Sequence, residues 1–188
     1  MSQEVEVKKA IRCLKSGGVI LYPSDTIWGL GCDATNAKAV HRIFRIKKRE
    51  AQKSLIVLVS SREMLMNCIY HFPEKAEELL ANTQKPLTII YERGKNLARN
   101  VPAEDGSIAI RMVTSGFCHD LIERYGKPVV STSANISNQN SPASFLEIDK
   151  KIVKAVDYVV DSAENARSES AASKIVKFTG GKIIVLRD

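Results

Sequence analysis

The stretch KPVVSTSANIS, residues 127–137, joins an apolar half to a polar half. Its first half is β-branched around Val129 and Val130 and predicts a buried strand. Its second half, STSANIS, carries four hydroxyls and an amide, which a hydrophobic core does not need. Such side chains favour turns and helix caps. At the end of a central strand they can instead form a polar wall for a ligand.

The spacing of these polar residues favours a polar wall that contacts a ligand over a turn or helix cap. Successive side chains of an extended chain point to opposite faces, so Ser131, Ser133 and Asn135 are predicted to share one face. Thr132 and Ala134 are then predicted to turn toward the other. Short side chains at a strand end allow a ligand to come close, and α/β sheets bind ligands at that end.

The rest of the chain alternates between strand and helix patterns. Segments with strand character are GVILYP, SLIVLV, PLTIIYE, SIAIRMV, PVVSTSA, DYVVD, SKIVKF and KIIVLR. Helical spacing is found in residues 4–15, 36–48, 61–72, 73–83, 116–126 and 145–156, with Asn36 as a possible cap. PLTIIYE and SIAIRMV have only a loop between them. We therefore predict an α/β fold with a twisted, mixed parallel and antiparallel sheet and flanking helices, in a single domain over residues 1–188.

Composition limits the class of protein. The 28 basic and 21 acidic residues give a net charge of +7, which favours anionic partners. The four cysteines and three histidines show no metal-binding spacing, so we expect no protein-bound structural metal and a reducing, cytoplasmic location. The N-terminus does not resemble a signal peptide, and no apolar run reaches the roughly 20 residues that span a bilayer, so no membrane association is expected.

A second polar cluster is YPSDTIWGLGCDA, residues 22–34. A predicted strand ends at Pro23 and is followed by a polar triplet and then by Gly29 and Gly31. Glycine allows the backbone to approach a ligand. The alternative is an ordinary strand-to-helix connection with one buried tryptophan, Trp28.

A third cluster, RIKKREAQKSLIVLV, residues 45–59, places five cations between a helix and a strand. If the helix ends near Lys47, we expect Lys47 and Arg49 to project together from the exit loop, with Lys53 at the start of the next strand. Such a group suits a polyphosphate. The alternative is a solvated helix end whose cations complement the helix dipole.

Taken in order, GGVILYPSDTIWGLGCDA, IFRIKKREAQKSLIVLV, SIAIRM and VVSTSANIS resemble the YrdC family. The family pattern KxR…SxN is met by Lys47 and Arg49, then by Ser133 and Asn135. The resemblance runs from about residue 5 to the end of the chain. It implies a YrdC-like fold with a large basic cavity, in the single-domain form that lacks a C-terminal extension.

The resemblance also implies an activity, that of an L-threonylcarbamoyladenylate synthase. Such a nucleotidyltransferase makes threonylcarbamoyl-AMP and pyrophosphate from ATP, L-threonine and bicarbonate, for threonylcarbamoyladenosine modification of tRNA next to the anticodon. It implies Mg²⁺ as the companion of ATP, and partner proteins that transfer the threonylcarbamoyl group. tRNA or double-stranded RNA is a further candidate partner.

The resemblance assigns roles to particular residues. Lys47, Arg49, Ser133 and Asn135 match the catalytic set, and Lys53 is expected to assist with the phosphates. By match to the family, Thr26 and Arg111 contact L-threonine, with Arg111 pairing with its carboxylate. The remaining substrate-binding matches are Ser107, Ser131, Ser141, Ser173 and Arg187.

The sequence also departs from the family pattern. Glu50 replaces the proline that follows KxR, Lys174 replaces a threonine, Asn138 a glycine and Trp28 a tyrosine. The changes at Glu50 and Lys174 leave open a YciO-like paralogue with a different reaction. The net charge of +7 leaves open a non-catalytic RNA-binding module. The aromatic content of 6%, without clustering, argues against an RNA stacking platform.

Overall fold

The computed structural model describes residues 2–49, 55–83, 85–161, 172–180 and 182–188. The strands are β1 (Ile20–Pro23), β2 (Trp28–Asp33), β3 (Ile56–Val59), β4 (Leu87–Tyr91), β5 (Ile108–Met112), β6 (Val129–Ser133), β7 (Tyr158–Val159), β8 (Lys174–Thr179) and β9 (Lys182–Arg187). The helices are α1 (Gln3–Lys15), α2 (Ala37–Lys47), α3 (Arg62–Cys68), α4 (Glu74–Asn82), α5 (Gly116–Tyr125) and α6 (Lys150–Ala155), with a 3₁₀ turn at Phe145–Glu147. No helix in these ranges is long and apolar enough to cross a membrane.

The strands form one mixed sheet in the order β7-β1-β2-β6-β3-β5-β4-β8-β9. Strand β6, which contains the polar stretch, lies between β2 and β3 and runs antiparallel to both. Strands β3 and β5 are parallel, while β4 and β5 are antiparallel and joined by a loop. The predicted mixed α/β sheet is therefore confirmed.

Strand β2 was not predicted: its glycines were interpreted as an approach to a ligand or, alternatively, as part of a strand-to-helix connection. Residues 28–33 form a strand that pairs antiparallel with β1, with Tyr22 opposite Gly29 and Ile20 opposite Gly31. Ser24 closes the turn between them, because its Oγ accepts hydrogen bonds from Thr26 N and Ile27 N, each at 3.1 Å. Glycine is depleted in strands, so residue propensities do not predict a strand at residues 28–33.

Helix α2 begins and ends as predicted. Asn36 caps it, since its Oδ1 accepts from Lys38 N at 3.1 Å and from Ala39 N at 3.2 Å. The helix ends at Lys47, and Lys48 takes the left-handed conformation with φ of 48°. This residue redirects the chain and separates the direction of Lys47 from that of Arg49.

The two faces of the sheet are covered unequally. Helices α2, α3, α4 and α6 pack on one face and share a core with Leu30, Val57 and Ile110. Helices α1 and α5 pack on the other face around Tyr22 and Leu58. Farther along that second face, toward β4 and β8, the sheet surface lines an open cavity.

Candidate ligand-binding cavity

The cavity on the second face has a volume of about 280 Å³. Three arginines and seven hydroxyl side chains line it, and none of the described lining residues is acidic. The polar lining residues are Ser24, Thr26, Arg49, Arg111, Ser131, Thr132, Ser133, Ser141, Ser173 and Arg187. Cationic and hydroxyl donors in the lining suit an anionic ligand.

Sheet register explains how distant parts of the chain meet here. Ser131 of β6 lies opposite Ile56 of β3, Ile56 opposite Ala109 of β5, and Ala109 opposite Ile90 of β4. Residues opposite each other in a ladder share a face, so all four line the same cavity. The predicted common face of Ser131 and Ser133 is confirmed, and Thr132 also reaches the cavity.

Arg111 is the most constrained cation of the cavity. It is only 4% exposed. Its Nη2 donates to Asp25 Oδ1 at 2.9 Å and its Nη1 to Thr26 Oγ1 at 3.1 Å. Its Nε is buried and has no hydrogen-bond partner among the described residues. The guanidinium has five N–H groups, of which these two bonds use two, and Arg111 lines the cavity, so we expect an anionic ligand group to bind there.

Lys47 lies beneath the wall and does not line the cavity. Its Nζ donates to the backbone oxygens of Ser133 and, at 2.6 Å, Asn135. Burial, followed by the nearby charge of Arg49, lowers the pKa of Lys47 from 10.5 to about 7. The prediction that Lys47 and Arg49 project together is therefore wrong: Arg49 reaches the cavity, whereas Lys47 binds the end of β6.

Asn135 also departs from its prediction. Strand β6 ends at Ser133, and the Nδ2 of Asn135 donates to Ile136 O at 2.9 Å and to Gln139 O at 2.7 Å. Its amide thus closes the turn that follows the strand, outside the cavity lining. The alternation of an extended chain does not continue past the last residue of the strand.

The last strand is tied to the rim of the cavity. Arg187 donates through Nε to Ser173 O at 2.8 Å and through Nη2 to Ser173 Oγ at 3.2 Å. The same Oγ lies 2.8 Å from Thr88 Oγ1 in β4. Burial, followed by the charge of Arg111, lowers the pKa of Arg187. Both predicted residues, Ser173 and Arg187, therefore lie at the site.

The other predicted residues are placed as follows. Thr26 and Ser141 line the cavity, whereas Ser107 does not: it precedes β5, and its backbone N–H donates to Asp105 Oδ1 at 2.9 Å. Lys53, like the departure Glu50, lies outside the described residues. The departure Lys174 points away from the lining and pairs with Asp188 at 2.6 Å.

Sequence reasoning missed three residues at this site. Ser24 and Thr132 line the cavity, and Asp25 is the counter-charge of Arg111. The signal for Ser24 and Asp25 was the polar triplet after Pro23, of which only Thr26 was selected. Within the described ranges, no three His, Cys, Asp or Glu side chains are grouped closely enough to hold a metal ion.

Comparison with known proteins places the cavity in context. The Sua5/YciO/YrdC family model, described as telomere recombination, matches residues 12–188. A threonylcarbamoyl-AMP synthase of Pseudoalteromonas translucida is 31% identical over 177 residues, which cover 93% of this chain and 95% of that protein. A protein of the same name from Xanthomonas euvesicatoria is 31% identical over 172 residues, with coverage of 90% and 92%.

Solved structures share the architecture. P. abyssi Sua5 complexed with L-threonine superposes with a TM-score of 0.89 at 26% identity, covering all of this chain but 54% of that one. This chain thus spans about half the length of that Sua5. E. coli YciO superposes with a TM-score of 0.82 at 22% identity, which shows a shared fold.

Proposed function

Because this chain belongs to the Sua5/YciO/YrdC family, we propose that it is a threonylcarbamoyl-AMP synthase. The reaction joins ATP, L-threonine and bicarbonate into threonylcarbamoyl-AMP and releases pyrophosphate. The observation that carries the proposal is Arg111, which Asp25 and Thr26 orient in a cavity that two further arginines line. Relatives about 31% identical over nine-tenths of the chain are named for this activity.

L-threonine would bind at Arg111. The guanidinium is already oriented by Asp25 and Thr26, so its remaining N–H groups are fixed in direction before the ligand arrives. A carboxylate would accept charge-assisted hydrogen bonds from this guanidinium. P. abyssi Sua5, which has the same fold, has been solved in complex with L-threonine, and this supports the assignment.

ATP would bind along the hydroxyl wall of β6. Arg49 and Arg187 supply positive charge on the lining, and Ser131 and Ser133 supply short hydrogen-bonding groups. Mg²⁺ would enter with the nucleotide as part of the substrate, bound to phosphate oxygens. Lys53 remains a proposed phosphate contact.

The chemistry then requires two steps. The threonine amine reacts with bicarbonate to give a carbamate and water. A carbamate oxygen forms a bond to the α-phosphorus of ATP, and the bond from that phosphorus to the bridging oxygen breaks, so that pyrophosphate leaves with the electron pair. The cavity contributes by holding two anions together and by stabilising charge on the phosphates, in which Arg49 has the central role.

Lys47 has a different role in this proposal from the one first expected of it. Because its ammonium binds the backbone oxygens of Ser133 and Asn135, it positions the end of β6, whose hydroxyl side chains line the cavity. The product would be passed to partner proteins that transfer the threonylcarbamoyl group to tRNA.

The test is ATP consumption with product analysis, in which Mg²⁺, bicarbonate and L-threonine are each omitted in turn. We expect pyrophosphate and threonylcarbamoyl-AMP only in the complete mixture, with strong loss in Lys47→Ala. ATP bound but left intact by the folded wild type would favour a paralogue with another reaction. Failure to bind any nucleotide, with salt-sensitive binding of RNA, would favour an RNA-binding module.

A further inference from the structure

Tyr22 connects the first strand of the sheet to the hydroxyl wall of the cavity. Its hydroxyl donates to Ser131 Oγ at 2.7 Å, although strand β2 lies between their two strands. Tyr22 is fully buried and Ser131 is 6% exposed. The ring therefore crosses over β2 to reach a residue that lines the cavity.

Two glycines of β2 make this crossing possible. Gly29 lies opposite Tyr22, and Gly31 lies opposite Ser131. A Cβ at Gly31 would lie 2.7 Å from Tyr22 Cε1, closer than real Cβ contacts allow. A Cβ at Gly29 would lie 3.3 Å from Ser131 Oγ and 3.6 Å from the same ring carbon. The WGLGC sequence thus leaves the space that the ring occupies.

The hydrogen bond determines what Ser131 can do. Burial raises the pKa of Tyr22 well above its usual value, so its hydroxyl keeps its proton and remains a donor. A serine hydroxyl has one proton to donate and two lone pairs, and Tyr22 occupies one lone pair. Within the described ranges Ser131 Oγ donates to no protein acceptor, and this side chain lines the cavity. The Ser131 proton is therefore free to face a ligand.

We propose that Tyr22 is a positioning residue that fixes Ser131 Oγ as a hydrogen-bond donor to an oxygen of the bound nucleotide. The inference rests on the proposed function, since it takes the ligand at the β6 wall to be ATP. It adds a residue outside the cavity lining to those that determine nucleotide affinity. It also gives Gly29 and Gly31 a purpose within the strand, which is to leave room for the ring.

The test is a double-mutant cycle read by calorimetric titration with Mg²⁺ and ATP. Tyr22→Phe removes the hydroxyl alone and should weaken ATP binding about five- to tenfold, the effect of one hydrogen bond. Ser131→Ala should weaken binding at least as much. Adding Tyr22→Phe to Ser131→Ala should cause no further loss, because the two groups act as a unit. L-threonine binding should stay within about twofold throughout.

Tyr125→Phe is the matched control. Tyr125 belongs to the same core cluster, and its hydroxyl donates at 2.7 Å to Asp33 Oδ2, which is not part of the cavity lining. Its removal should lower the melting temperature without changing ATP affinity. The inference would be overturned if Tyr22→Phe left ATP binding unchanged. It would also be overturned if Tyr22→Phe weakened ATP binding equally in the wild type and in the Ser131→Ala variant. Either result would leave the proposed function intact. Wild type that binds no ATP would overturn the proposed function and this inference with it.

Discussion

Lys47 and Arg111 are two basic side chains buried to a similar degree, 1% and 4% exposed, of which only Arg111 lines the cavity. Lys47 is bound by neutral backbone oxygens and lies behind the wall. Arg111 is bound by a carboxylate and a hydroxyl, lines the cavity and has further N–H groups beyond those two bonds. The two side chains are thus equally buried but differ in their hydrogen-bond acceptors. We infer that Lys47 stabilises the fold and that Arg111 binds a ligand.

The sharpest test of this contrast is Arg111→Lys, which keeps the charge and removes the planar fork. We expect L-threonine affinity to fall about 100-fold, because a point charge cannot serve Asp25, Thr26 and a ligand carboxylate in fixed directions. Calorimetric titration with L-threonine measures it. Arg93→Lys, at an exposed arginine beside Tyr70, should leave the affinity unchanged. An Arg111→Lys protein that binds L-threonine normally would show that the guanidinium of Arg111 does not bind this ligand.

Lys47→Met should act on stability instead. The change keeps most of the volume but leaves the backbone oxygens of Ser133 and Asn135 without their donor, so the free energy of unfolding should fall by about 2 kcal/mol. Denaturant melts measure this loss, and Lys38→Met, an exposed position in the same helix, is the control. L-threonine affinity should change less than threefold. A loss of L-threonine binding as large as that in Arg111→Lys would erase the proposed distinction.

The lowered pKa of Lys47 adds a pH signature to the effect of Lys47→Met. Between about pH 7 and 10.5, the unfolded chain holds a proton on this amine that the folded chain releases. Stability should therefore rise with pH in this window, by up to about 1.4 kcal/mol per unit. Below about pH 6 both states are protonated and this dependence should vanish. Denaturant melts at several pH values would show a rising difference between wild type and Lys47→Met; a constant difference would mean that Lys47 is not desolvated.

Lys174→Thr extends the comparison to a cation that, unlike Lys47 and Arg111, is not buried. Lys174 starts β8, is partly exposed and pairs with Asp188 rather than with the cavity. Restoring the threonine expected from the family pattern should change the affinities for ATP and L-threonine by less than twofold, because exposed pairs contribute little. The same titrations measure it. A larger change would give this departure from the family pattern a role in the site.

The same contrast shows how far sequence reasoning extends. Strands rich in β-branched residues and the capped helix α2 were predicted, because their signals are local. Strand β2 was missed, since glycines replace its side chains on one face. The direction of Lys47 was wrong because Lys48 adopts a left-handed conformation that no spacing rule anticipates.

The cavity itself was only partly predictable. Arg111 and Ser131 were named by resemblance, and the common face of Ser131 and Ser133 followed from strand geometry. Neither route gave Asp25 as the partner of Arg111 or Tyr22 as the partner of Ser131, more than 80 residues away in the chain. Such contacts depend on strand order and register, which become visible only when the whole sheet is in place.

The central position of β6 also matters while the protein is being synthesised. Strands β2 and β3 are made early, yet each needs β6 between them, and β6 follows β3 by roughly 70 residues. At a synthesis rate of about 5–20 residues per second, both strands wait several seconds on the ribosome with an unpaired edge. Val57 and Leu58 make β3 apolar, so its unpaired edge favours aggregation of nascent chains in this interval. The stretch that lines the cavity is thus also the segment that covers this edge of β3.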